Sequence, residues 1–139
     1  MKAEFTKNSK NKFKSLPIGI QTFSEIRTSN FYYVDKTSLI SKLVEENKKY
    51  YFLSRPRRFG KSLFLSTLKS AFKAQKEYFK DLYLENNWNW DKKYPVLYIS
   101  FGSGVTGGKE QLQIKLRNLI IDWKREYNIE KLKKGQDIN

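Results

Sequence analysis

The chain has 139 residues, with 28 Lys and Arg against 14 Asp and Glu, for a formal net charge of +14. It contains no cysteine and no histidine, which excludes a disulfide framework, a thiolate metal site and any Ser-His or Cys-His catalytic pair. Hydrophobic residues make up 39% of it, including ten Phe, nine Tyr and three Trp, enough to build a packed core. No apolar run approaches the roughly 18 to 20 residues of a membrane span, and Pro17 and Gly19 interrupt the N-terminal region before a signal-length apolar stretch. The expectation is a cytoplasmic protein. The basic excess points to polyanionic partners, nucleotides or nucleic acid, although lysines spread over the whole chain are also what compositional drift produces.

In chain order, residues 1–15 read as a loose basic leader. Thr22 to Glu25 has the form of a capping box opening a short helix. Phe31 to Val34 is β-prone, and Asp35 stands as a helix cap before Leu39, Ile40, Leu43 and Val44 at helical spacing. Asn47 to Lys49 ends that helix. Tyr50 to Leu53 reads as a buried strand, interrupted by Ser54 to Gly60 with Pro56 and a group of arginines. A helix then starts near Lys61, with Phe64, Leu65, Leu68, Ala71 and Phe72 as its apolar stripe. Tyr78, Phe79 and Leu82 belong to a short helix or turn, and Trp88 to Lys93 to a loop. Val96 to Phe101 reads as a second strand. After the glycine-rich turn from Gly102 to Gly108 comes a final amphipathic helix, Glu110 to Tyr127, which would bury Leu112, Leu116, Leu119, Ile120, Trp123 and Tyr127. This alternation predicts α/β layering on a parallel sheet, with only two convincing strands.

Two glycine-rich stretches compete as phosphate loops. The first, Arg55 to Ser62, ends in Gly60, Lys61 and Ser62 between a predicted strand and a predicted helix, as a Walker A loop does. There Gly60 would let the backbone approach the phosphates, Lys61 would reach the terminal phosphates, and the Ser62 hydroxyl would ligate Mg²⁺. The helix N-terminus would add amides and a favourable dipole. Arg55 stands where the motif has its first glycine, and a plain strand-to-helix turn remains the alternative. The second stretch, Gly102 to Gly107, spells GxGxxG, but no second strand and no suitably placed acid follow, since Asp122 lies within the final helix. A loop is the better reading there.

Arg55 to Ser62 (RPRRFGKS) resembles the Walker A segment of the AAA-ATPase-like family, proteins that usually join a P-loop ATPase domain to a nuclease-like domain of the PD-(D/E)XK class. Leu16 to Phe23 and Tyr33 to Thr37 resemble two upstream motifs of that family. Tyr51 to Ser54, Ser62 with Leu63 and Leu68, Phe79 to Leu84, and Tyr94 to Val96 resemble others, so the likeness runs from about Leu16 to Tyr127. The resemblance implies an AAA/ASCE-like P-loop NTPase three-layer fold, incomplete here, over residues 16–139. It implies ATP and Mg²⁺ as ligands, with Arg57, Arg58, Phe59, Gly60, Lys61 and Ser62 as nucleotide contacts and Ser62 at the metal. Pro17 to Phe23 would lie near the adenine. Arg57 and Arg58 could equally be solvated loop residues, and Asp35 only a cap.

The chain departs from the family pattern in having no apolar strand that ends in a pair of acids, the Walker B element that holds Mg²⁺ and activates water. Glu45 and Glu46 fall on a predicted helix and Glu85 before a loop, so no catalytic residue is assigned. The nuclease-like half is also missing. These departures lead to the expectation of an N-terminal fragment that binds nucleotide without hydrolysing it alone. The rival expectations are a basic nucleic-acid-binding module and an inactive structural remnant.

Overall fold

A computed structural model of the chain describes residues 14–101 and 108–129. The chain divides into two units, Met1–Tyr94 and Pro95–Asn139. The first contains three helices, α1 (Phe23–Thr28), α2 (Ser38–Glu45) and α3 (Lys61–Phe72), followed by two short 3-10 turns, Lys76–Phe79 and Tyr83–Glu85. The second contains α4 (Gly108–Glu126).

Among the described residues there is no β-strand. This corrects the expected α/β class and its parallel three-layer sheet: the described chain is all-helical. Tyr50 to Leu53 and Val96 to Phe101 are β-prone by composition, but a strand exists only where its amides and carbonyls pair with a neighbour. Neither segment, nor Phe31 to Val34, has such a ladder. Phe52 is 93% exposed, where a buried strand residue was expected.

The core of the first unit forms where α1 and α3 meet the two 3-10 turns. Phe23, Ile40, Ala71, Phe79, Leu82 and Leu84 are buried together, and Tyr33, Leu68, Tyr78, Trp88 and Trp90 pack on them. The rings interlock, Phe23 edge to face with Tyr33 at 5.1 Å and tilted against Phe79 at 4.8 Å, and Phe79 tilted against Trp90 at 5.0 Å. Such pairs contribute about 0.5–1.5 kcal/mol beyond their buried area. Both indole N–H groups also find acceptors, Trp88 on the Ala71 carbonyl at 3.1 Å and Trp90 on that of Glu85 at 2.9 Å.

The start of α1 is as the sequence suggested, but its capping is not. Thr22 occupies the N-cap in an extended conformation without a side-chain bond, and the Phe23 amide donates instead to Ser66 Oγ on α3 at 2.9 Å. The capping function has passed to another helix, and α1 is thereby tied to α3. The polar residues Ser66 and Thr67 thus join Ala71 on the inward face of α3, while Leu65, assigned to the apolar stripe, is 47% exposed. α2 ends at Glu45, and Asn47 follows with φ 47°, in the left-handed region where asparagine is tolerated.

In the second unit, Leu112, Leu116, Leu119, Trp123 and Tyr127 are half-buried, so the expected stripe exists, but none is fully buried and Ile120 is 47% exposed. The Tyr127 hydroxyl accepts from the Val96 amide at 2.8 Å and donates to the Val96 carbonyl at 3.2 Å. The GxGxxG stretch, Gly102 to Gly107, lies outside the described residues, as does most of the leader.

Candidate functional site

Residues 55–60 form an exposed loop that leads directly into α3. Gly60 is the N-cap of that helix, with φ 74° and ψ 16°. A Cβ built there would meet nothing within 4 Å, so the left-handed backbone, and not crowding, is what calls for glycine. The first α3 bond runs from the Phe64 amide to the Gly60 carbonyl at 2.9 Å, which leaves the amides of Lys61, Ser62 and Leu63 without helical acceptors. No acidic residue occupies the first turn. The helix end therefore presents free donors and the positive pole of its dipole to whatever sits above the loop.

Lys61 closes this loop. Its Nζ donates to the Arg55 carbonyl at 2.6 Å and to the Pro56 carbonyl at 2.7 Å. An ammonium has three N–H donors, so two anchor it across the loop's opening and one is left for a further acceptor. The side chain is held at the mouth of the loop by the residues that open it. Arg55 takes part through its backbone, which makes the missing first glycine irrelevant to this contact. Arg58 has φ 65°, an uncommon left-handed value for a non-glycine residue, and tolerating it has a cost of order 1–3 kcal/mol.

Of the residues singled out in the sequence, Gly60, Lys61 and Ser62 come together at the α3 N-terminus, with Ser62 exposed. Arg57, Arg58 and Phe59 are exposed loop residues beside them. Asp35 points elsewhere: its carboxylate accepts the Thr37 amide at 2.8 Å and the Tyr83 amide at 2.7 Å. Burial pushes its pKa up, but those amides and the Arg27 charge outweigh burial and hold it below the ordinary value. Glu85, considered as a catalytic acid, accepts the Asp81 amide at 2.7 Å, and Glu46 pairs with Lys48 at 3.0 Å. Among the described residues no group of three His, Cys, Asp or Glu is placed to hold a metal ion.

A cavity of about 310 Å³ adjoins the loop. Arg55, Phe59 and Gly60 border it on the loop side, and Leu16, Pro17, Tyr32 and Val34 on the other. Sequence reasoning placed Pro17 to Phe23 near the adenine by resemblance but read Phe31 to Val34 only as β-prone, and so missed Tyr32 and Val34 as a wall. No local pattern in Tyr32 and Tyr33 signals this wall, because the cavity joins them to residues more than twenty positions away in the chain. Tyr33 turns partly inward: burial raises the pKa of its hydroxyl, which lies 3.3 Å from Thr67 Oγ1 on α3.

A left-handed glycine, a lysine bridging the loop's opening and helix amides without helical acceptors thus meet at the start of α3. Residues 17–138 match the family described as "Predicted AAA-ATPase", and the chain belongs to this AAA-ATPase-like family. It is also 49% identical over 108 residues to a protein of Azotobacter chroococcum mcd 1 described as "Uncharacterized protein in vnfD 5'region". That match covers 77% of the chain and 21% of the relative, so the chain spans about a fifth of the relative's length. No solved structure matches. No helix among the described residues is long and apolar enough to cross a membrane.

Proposed function

We propose that the chain binds ATP with Mg²⁺, the phosphates resting on the amides of Arg58 to Lys61 and on the α3 N-terminus. The observation that carries this reading is the Lys61 ammonium, held across the loop by two carbonyls at 2.6 and 2.7 Å with a third donor open. Family membership supports a nucleotide as the ligand. The donor set suits magnesium only as part of a complex. Mg²⁺ keeps several waters and takes its remaining ligands from phosphates, so the one exposed hydroxyl of Ser62 is a sufficient protein contribution. No catalytic residue is assigned, and the reading stops at binding.

A ligand that binds only the folded form stabilises it by RT ln(1 + [L]/Kd), about 2.7 kcal/mol at a hundred times Kd. Mg-ATP at that excess is expected to raise the melting temperature by several degrees. Lys61→Ala is expected to lose that gain while melting near the wild-type value without ligand, because the side chain is bound only to its own loop. Equal stabilisation of wild type and variant by Mg-ATP would remove the loop from the binding site.

A further inference from the structure

The cavity beside the loop has a composition that bears on which nucleotides the site accepts. Its volume, about 310 Å³, is at the lower end of the roughly 300–1,000 Å³ typical of small-molecule sites. Its border includes Gly60 and Arg55, so a phosphate chain on the loop would continue into it. Among the described residues its lining has no Asn, Gln, Asp, Glu, Ser or Thr side chain. Apart from the hydroxyl of Tyr32, a residue open to water, what it offers is aromatic and aliphatic surface: the Tyr32 ring, Phe59, Phe64, Leu16, Pro17 and Val34. The Tyr33 hydroxyl already faces Thr67. Lys36 and Arg55 are exposed, and exposed cations read a base edge weakly in competition with water.

Separating adenine from guanine takes donors and acceptors aimed at the base edge, since adenine presents an amino donor where guanine presents a carbonyl acceptor. Stacking tolerates any base, because every base has a π face, and its strength follows area. We infer that the cavity holds the nucleobase by face and area, so the site takes purine nucleoside triphosphates as a class, barely separating adenine from guanine. This inference rests on the phosphate-loop reading above. Sites that read a hydrogen-bonding group reject its absence by about 10⁴-fold or more, whereas apolar contact separates ligands by about 10- to 200-fold. Purines therefore bind about tenfold more tightly than pyrimidines, and ATP and GTP lie within about fivefold of each other.

The test is titration calorimetry of the whole chain with Mg²⁺ and, in turn, ATP, GTP, CTP, UTP and inorganic tripolyphosphate. The expected order is ATP and GTP together, then the pyrimidines, then tripolyphosphate. Tyr32→Ala, a change at an exposed position, is expected to bring ATP down towards tripolyphosphate. A hundredfold preference for ATP or for GTP would overturn the inference, as would equal affinity for all five ligands, and in both cases the phosphate loop would stand. If neither tripolyphosphate nor any nucleotide bound, the loop reading itself would fall, and the inference with it.

Discussion

Asp35 illustrates how one side chain joins distant parts of the chain. Its two oxygens accept amides from Thr37, two residues on, and from Tyr83, 48 residues on, fixing the approach to α2 against the second 3-10 turn. Thr37 adds to the same junction, accepting the Leu84 amide through its buried hydroxyl at 3.2 Å. Hydrogen bonds to a charged acceptor contribute roughly 1.5–3 kcal/mol, towards the lower end where water competes. Asp35→Ala is therefore expected to cost about 2 kcal/mol in urea unfolding, and Asp35→Asn less, since one acceptor oxygen remains. The same carboxylate sets a pH dependence. Its folded pKa is depressed, so its contribution is complete above the ordinary aspartate value of about 3.9 and is lost as pH falls through the lower folded value. The urea midpoint should hold between neutral pH and about pH 5, then fall, and the fall should be shallower in Asp35→Asn. An identical acid limb in both proteins would assign the pH dependence to other carboxylates.

At the scale of elements, what was legible in the sequence was what local pattern determines. The α3 start at Lys61, the end of α2 before Asn47, the turn at Tyr78 and Phe79 and the α4 stripe all follow from periodicity and breakers. The loop was legible for the same reason, since Gly60, Lys61 and Ser62 are consecutive and their geometry follows from the helix they open. The strands were misread because pairing is a property of two segments, and a β-prone run such as Tyr50 to Leu53 carries no information about whether its partner is present. The Phe23–Ser66 bond and the Tyr32 wall of the cavity were invisible for a related reason: each joins residues far apart in the chain. Hydrogen exchange separates these two kinds of segment. The amides of Tyr50 to Leu53 are expected to exchange at nearly unprotected rates, and those of Leu65 to Phe72 to be protected by the α3 bonds. Equal protection in both segments would mean that Tyr50 to Leu53 is paired in solution. In the second unit, Tyr127→Phe deletes the hydroxyl that touches both polar groups of Val96. About 1–2 kcal/mol of the local stability of α4 should go with it, read as faster exchange in that helix's last turn.

For the whole molecule the dominant physical fact is charge. A net +14 on 139 residues imposes self-repulsion on the compact state, and its strength depends on screening. The Debye length falls from about 30 Å at 0.01 M salt to about 8 Å at 0.15 M, so repulsion across the molecule is largely removed over that range. The unliganded chain should therefore melt at higher temperature as salt is added, with the steepest gain at the low end. A polyanion tests the same charge from the other side. Binding to nucleic acid through phosphate contacts weakens with log[salt] in proportion to the number of contacts, so any such affinity should be largely gone by 0.2 M salt. Nucleotide held as proposed by Lys61 and the α3 amides would depend on short directional bonds at one place, and its affinity should fall far less over the same range. Titrating Mg-ATP and a DNA duplex at 0.05 and 0.2 M salt therefore separates a local phosphate site from a diffuse basic surface. Parallel slopes for the two ligands would assign both to the surface and leave the loop with no role in binding.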